Sequence, residues 1–246
     1  MKQRTILLRY LPDGAVLVLL IASVFLHCRS NKEPESEAVR FDRFAREAFK
    51  EVYPTLADQI LNDYGIREGV CLDIGCGPGY LGIEMAKQSN LNVLGVDIDP
   101  VTVEIANRNI THENLTGRMT VEEGDVHSLR FTDGYADLIV SRGSFLFWEN
   151  TAQAFREIYR VLKPGGVAFI GGGMGRAITP EKKEAIKLQV EQAGFLDRCN
   201  NMITPVMMQE MLESINIRDY KIMGDGPGDS GCKCGMWVEL RKPMDS

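Results

Sequence analysis

From Ala38 to about Tyr64 apolar residues recur at helical spacing (Phe41, Phe44, Ala48, Phe49, Tyr53, then Leu56, Ile60 and Leu61), with Pro54 interrupting the run. The pattern predicts two consecutive helices. After Arg67-Glu68-Gly69 it changes to short apolar stretches separated by amphipathic segments. Strands are predicted near Val70–Ile74, Asn92–Asp97, Met119–Glu122, Ala136–Ser141 and Val167–Gly171, with helices starting near Pro78, Pro100, Thr151 and Thr204. Such alternation implies an α/β architecture, a mostly parallel sheet whose right-handed crossovers place helices on both faces. The end of the chain differs. Tyr220–Gly224 and Met236–Leu240 are strand-like and joined by a Gly-rich stretch, which predicts a closing antiparallel hairpin. Residues 174–202 form an insertion before it. Its charged stretch Pro180–Gln192 fits either a solvated surface helix or a lid over a bound ligand.

The first thirty residues stand apart. Lys2, Arg4 and Arg9 precede a largely apolar run from Ala15 to Leu26, giving a signal-like or membrane-anchor segment, followed by a polar linker over 31–37. Twelve apolar residues make a helix of about 18 Å, short of the roughly 30 Å hydrocarbon core. A tether to the membrane through residues 5–26, with the remainder in the cytoplasm, is the expectation; a start codon assigned too early is the alternative. Residues 38–246 then form one catalytic domain, with 38–66 as an N-terminal helical lid.

Charge and cysteine content narrow the partners. The 246 residues carry 28 Lys+Arg against 34 Asp+Glu, a net charge of −6, without the basic surplus that nucleic-acid backbones attract. A small molecule or a protein is the expected partner. Six cysteines are scattered through a chain too large to need disulfide staples, which fits a reducing compartment.

Candidate chemistry lies at the strand ends. Asp73-Ile74-Gly75-Cys76-Gly77-Pro78-Gly79 turns the first strand into the first crossover helix, its glycines allowing close approach of a ligand to the backbone. Dinucleotide-binding turns use GxGxxG, but here the third glycine of that fingerprint is replaced by Tyr80 and the order is GxGxG. Asp97 closes the second strand, 22 residues after Gly75, where an acid accepts hydrogen bonds from both ribose hydroxyls. After the third strand comes Glu123-Gly124-Asp125-Val126-His127, placing a carboxylate where an adenine amino group would donate.

These segments, VCLDIGCGPGYLG, LGVDIDP, GDVHSLRF, YADLIVSRGS and REIYRVLKPGG, resemble the successive motifs of class I S-adenosylmethionine-dependent methyltransferases, particularly the small-molecule (ubiquinone/menaquinone-type) branch. The resemblance covers roughly Ala38 to Lys242. It implies a Rossmann-like seven-stranded sheet with the last strand antiparallel, and S-adenosylmethionine as methyl donor. Asp73, Gly75, Cys76, Gly77 and Gly79 would line the methionine portion, Asp97 the ribose and Asp125 with Val126 the adenine, with Ile98 and Ser141 as further donor-binding residues. Gly165-Gly166 would turn into the fifth strand. The charge of the donor agrees: it carries an ammonium and a sulfonium and no phosphate, so carboxylates suit it better than basic groups. The (N/D)PPY signature of amino-group methylating enzymes is replaced by Ser141-Arg142-Gly143-Ser144, which argues against a nucleobase amine as acceptor.

On the acceptor side His127 and Arg142 are the candidate catalytic residues. His127 is either a titratable helper or a polar residue beside the adenine. Arg142, at the ligand edge of the sheet, either binds an anionic acceptor or pairs with a surface acid. Phe145, Phe147 and Trp148 are either pocket wall or core. Cys232-Lys233-Cys234 offers two thiolates one residue apart, ligands for a soft element such as trivalent arsenic, with Cys71, Cys76 or Cys199 as a third. The main expectation is methyl transfer to a small organic acceptor. Methylation of a thiophilic element, a non-catalytic donor-binding regulator and a dinucleotide reductase are the alternatives.

Overall fold

The computed structural model describes residues 35–195, 203–225 and 235–244. Contacts divide the chain into two units, Met1–Glu37 and Ala38–Ser246, and the second carries the sheet. Its elements run α1 (Glu37–Ala48), α2 (Val52–Tyr64), β1 (Glu68–Ile74), α3 (Tyr80–Gln88), β2 (Asn90–Asp97), α4 (Pro100–His112), β3 (Met119–Glu123), β4 (Ala136–Arg142), a 3₁₀ turn (Ser144–Phe147), α5 (Thr151–Val161), β5 (Leu162–Gly171), α6 (Pro180–Gln192), α7 (Pro205–Ser214), β6 (Tyr220–Met223) and β7 (Trp237–Arg241).

The seven strands form one sheet in the order β3-β2-β1-β4-β5-β7-β6. β1 to β5 pair in parallel, and β7 runs antiparallel to both β5 and β6. Strand alternation sends successive side chains to two cores. Cys71, Val93, Leu138, Val140 and Phe169 pack with α1 to α4, whereas Leu72, Ile74, Val96, Ile139 and Ile170 pack with α5 and α7. Strand order reverses between β1 and β4, which opens the crevice at their carboxyl ends where ligands bind in such sheets.

Helix starts follow local chemistry. Asp99, Thr179 and Thr204 each precede a proline at the first helical position, and each side chain accepts a backbone N–H of the first turn. Asn150 caps α5 by accepting from Gln153 N–H.

Three boundaries differ from the sequence pattern. The break between the first two helices falls at Phe49–Glu51, and Pro54 sits in the first turn of α2, where a missing N–H costs nothing. The helix after the Gly loop starts at Tyr80, because Pro78 and Gly79 complete the turn; Gly79 N–H donates to Cys76 O at 3.0 Å. Gly165-Gly166 lies inside β5, not in a turn before it. Gly165 donates to Lys242 O at 2.7 Å and Lys242 donates back to Gly166 O at 3.2 Å, so the segment is drawn into the sheet at a register shift between Ala136 and Leu138.

The stretch Pro180–Gln192 forms α6, with no fully buried residue, attached to the first core by Ile186 and Val190. Phe145 and Trp148 are core, whereas Phe147 is exposed. No helix among the described residues is long and apolar enough to cross a membrane; the run Ala15–Leu26 lies outside them.

Candidate active site

The Gly loop is laced to the end of β2. Gly75 and Cys76 N–H groups both donate to Val96 O, at 2.8 and 3.1 Å, and Gly77 N–H donates to Asp97 Oδ2 at 2.8 Å. The other oxygen of Asp97 accepts Asp99 N–H at 3.1 Å, and Gly124 N–H donates to Asp97 O at 2.9 Å, which draws the end of β3 to the same point. Gly75, Cys76, Gly77, Gly79 and Asp97 thus share one hydrogen-bonded assembly, with Ile98 beside them and 67% exposed. Burial pushes the Asp97 carboxyl up, and the N–H donors of Asp99 and Gly77 oppose that.

Backbone conformation explains the glycines. Gly75, Gly77 and Gly79 all have positive φ (61°, 55° and 84°), and a Cβ on Gly75 would lie 2.3 Å from Ser144 Cβ. Ser144 in turn donates to Ile74 O at 3.1 Å and sits 2.6 Å from the hydroxyl of buried Ser141, so the start of the 3₁₀ turn holds the Gly loop from below. A Cβ on Gly77 would meet only the Phe41 ring, at 3.6 Å. The space over the loop is therefore bounded by α1.

Asp73 is 1% exposed, and its Oδ2 accepts Gly82 N–H of α3 at 2.9 Å. Burial, with a smaller push from the nearby Asp97 charge and against the lowering effect of the Gly82 bond, raises its carboxyl to about 7. Asp125 stands at the rim, and Val126 points into the second core. The carboxyl of Asp125 is held below its ordinary range chiefly by the backbone N–H of His127. His127 Nδ1 lies 2.6 Å from Asp125 Oδ1, and Nε2 accepts Asn150 N–H at 3.2 Å. Both ring nitrogens are therefore engaged, and the proton is assigned to Nδ1 by that network.

Arg142 is partly buried under the α1–α2 junction. Its guanidinium carbon lies 4.0 Å from the Phe49 ring centroid and 5.4 Å from that of Tyr53, and Nε donates to Gly173 O at 2.9 Å. Cys71 and Cys76 are buried free thiols, both pushed up by burial, and Cys76 packs against Gly95. Cys199, Cys232 and Cys234 lie outside the described residues, and no cluster of His, Cys, Asp and Glu able to hold a metal occurs among the described ones.

Two clusters escaped the sequence reading. Asp42 of α1, 5% exposed, accepts from Tyr80 O–H (2.8 Å) and Asn109 Nδ2 (3.0 Å) and pairs with Arg46 (3.0 Å), binding α1 to α3 and α4 around the Gly loop. Its signal was an acid at helical spacing from Ala38, Ala45 and Phe49, on the apolar face. Asp225 is the second: it accepts the N–H groups of Met174 and Gly175 and the indole N–H of Trp237, and pairs with Lys183 at 3.1 Å. Nothing in the Gly-rich sequence around it marks that burial.

The chain is similar to known proteins in sequence and in fold. A family profile described as "Methyltransferase domain" matches residues 72–170, from β1 through β5. The sterol 24-C-methyltransferase erg6 of Aspergillus fumigatus is 32% identical over 129 residues, 52% of this chain and 34% of that protein. The erythromycin 3''-O-methyltransferase of Saccharopolyspora erythraea is 35% identical over 126 residues, 50% of this chain and 40% of that protein. The chain thus spans about a third to two-fifths of the length of these two relatives. A crystal structure from Methanococcus maripaludis, described as a putative S-adenosyl-L-methionine-dependent methyltransferase, is 37% identical and superposes with a TM-score of 0.75 over 87% of this chain and 98% of its own. With that whole-domain match and the laced strand ends in the same chain, the protein belongs to the S-adenosylmethionine-dependent methyltransferases.

Proposed function

We propose that the protein transfers the methyl group of S-adenosylmethionine to a small-molecule acceptor. The observation that carries this reading is the Asp97 carboxylate, which fixes Gly77 and Asp99 through two N–H bonds at the mouth of the crevice. Each of its oxygens keeps a lone pair for a ribose hydroxyl. Exposed Ile98 offers an apolar face to the adenine, and Asp125, kept ionised, accepts from the adenine amino group. Gly75, Gly77 and Gly79, all at positive φ, turn the backbone tightly at the crevice so that it can face the methionine portion of the donor, and Asp73 lies buried beneath the loop.

The bound donor supplies an electrophilic methyl on sulfur, which the acceptor attacks in line while the sulfur keeps the bonding pair. The residues of the chain position the two partners and exclude water. Helices α1 and α2 with α6 act as the cap. Arg176 grips Asp63 through two nitrogens (2.6 and 2.5 Å), Lys182 pairs with Glu51, and Phe195 packs on Phe41 and Phe44 at 5.3 and 5.0 Å. His127 is a positioning residue that joins Asp125 to the start of α5. A cytoplasmic location, with residues 5–26 as a tether, keeps the site with its donor; the apolar run supports that reading.

Titration calorimetry of S-adenosylmethionine and S-adenosylhomocysteine into the full chain, beside Asp97→Ala, tests the donor site. Saturable binding in the parent, weakened at least tenfold in the variant, is expected. A folded parent that binds neither would overturn the reading.

A further inference from the structure

Beside the Gly loop, Arg142 and Lys183 face a single carboxylate, Asp225, among the described residues. Arg142 ends β4, two residues before Ser144, which supports Gly75 of the donor loop. Its guanidinium is stacked on Phe49 and lies near Tyr53, whose ring is 5.5 Å from that of Tyr80 at the start of α3. The contacts therefore run from Arg142 through Tyr53 to the helix that opens beside the Gly loop. Nε is committed to Gly173 O. Among the described residues the carboxylate whose field reaches Arg142 is Asp225, and that carboxylate already accepts two backbone N–H groups and the Trp237 indole and pairs with Lys183.

Among the described residues, Arg142 and Lys183 set two positives against the one negative of Asp225 in a largely buried place. Burial works against the charged form of Arg142, lowering its affinity for the proton. The Phe49 face and the Tyr53 hydroxyl, which also hydrogen-bonds the guanidinium, offset part of that cost, and the N–H groups beyond those contacts and Nε are the donors an anion's oxygens would meet. The guanidinium is also held in place: its Nε bond and the two rings restrict the side chain before any ligand arrives, so little ordering is needed on binding.

From this we infer that the acceptor is a small anion, an oxyanion carried on an apolar or aromatic body, with Arg142 as the residue that reads its charge. The inference rests on the donor-site reading above, since the anion is placed beside a methyl donor in that crevice. Carboxylate and phosphate present the same chemistry to the guanidinium. A purely structural Arg142, one that only ties the α1–α2 junction to the sheet, would show no preference between a charged ligand and its neutral isostere.

The test uses the full chain saturated with S-adenosylhomocysteine and three probes: benzoate, phenyl phosphate and the neutral benzamide. Calorimetric titration is expected to show at least one of the two anions binding tenfold or more tightly than benzamide. Arg142→Met should remove that preference while S-adenosylhomocysteine affinity stays within about threefold, and Arg142→Lys, which keeps charge but loses the planar guanidinium, should fall between. Equal binding of anions and benzamide, no binding of either anion, or a preference that survives in Arg142→Met overturns the inference. Loss of S-adenosylhomocysteine binding in the parent protein is a different result, and it overturns the donor-site reading instead.

Discussion

The Tyr80 hydroxyl donates to Asp42 Oδ1 at 2.8 Å, joining the first helix of the cap to the first turn after the Gly loop. Burial pushes the Tyr80 phenol up to about 12, so it stays a donor throughout the neutral range. Asn109 Nδ2 shares the same carboxylate oxygen and also donates to Pro78 O at 3.0 Å, so the contact reaches the loop itself. Asp42→Ala removes the acceptor of the Tyr80 hydroxyl and of one Asn109 N–H together and is expected to cost about 1–3 kcal/mol. Tyr80→Phe removes one bond and should cost about 1 kcal/mol. Donor affinity should fall severalfold in Asp42→Ala because Phe41, its neighbour, bounds the space over Gly77. Urea unfolding and calorimetry measure both; unchanged affinity with reduced stability would remove Asp42 from the donor site.

Strand ends were legible in the sequence because each combines a run of apolar residues with a residue type that only a ligand edge requires. Asp97 and the Gly75–Gly79 turn are such cases, and β1 to β5 follow from the alternation. Helix starts with a Thr-Pro or Asp-Pro pair were legible for the same local reason. What escaped was long-range pairing. Asp42 finds Tyr80 38 residues away, and Asp225 finds Trp237 and Lys183 on two separate elements, so neither set of partners is implied by spacing. Gly165-Gly166 reads as a turn locally, and only its pairing with Lys242 makes it strand.

Asp73 gives the fold a pH dependence of known sign. Its carboxyl is raised to about 7 from an ordinary value near 3.8, so between these limits the folded state holds more of that proton than the unfolded chain. Stability from this group is present at low pH and is lost as pH rises through about 7. Asp73→Asn keeps an acceptor for Gly82 N–H but cannot ionise. Relative to the parent it should gain at least about 1 kcal/mol between pH 5 and pH 8 in urea unfolding. A cationic donor beside Asp73 favours the ionised form, so S-adenosylmethionine should bind more tightly at pH 8 than at pH 6 and release a proton. Calorimetry in two buffers of different ionisation enthalpy detects that release; a parent and Asp73→Asn with the same pH dependence would refute the link.

His127 is expected to carry a proton on Nδ1, because Nε2 accepts Asn150 N–H while Nδ1 faces Asp125. Nitrogen NMR of the ring distinguishes the tautomers directly, and a proton on Nε2 would contradict the hydrogen-bond network. His127→Ala should weaken donor binding by about three- to tenfold, the scale of one lost charge-assisted bond, because Asp125 then loses the side chain that orients it. It leaves Asp125 its backbone bond from residue 127, so binding should be reduced and not abolished.

Gly173→Ala tests how tightly the acceptor-side wall is built. A Cβ there would lie 2.1 Å from Asp225 Oδ1 and 2.3 Å from Trp237 Nε1, the two ends of one 2.9 Å hydrogen bond. Neither group is a free chain end. Asp225 is held by Met174 and Gly175 N–H and by Lys183, and Trp237 is buried with its ring stacked on Phe169 at 4.4 Å. The methyl must therefore break the bond or shift the backbone at the end of β5, at an expected cost of about 3 kcal/mol. Gly117→Ala, where a Cβ meets nothing within 4 Å, is the control and should change stability by less than about 0.5 kcal/mol. Urea unfolding followed by tryptophan fluorescence reads both variants. A Gly173→Ala protein as stable as the control would mean that Asp225 is free to move, and the packed wall around Arg142 would lose its support.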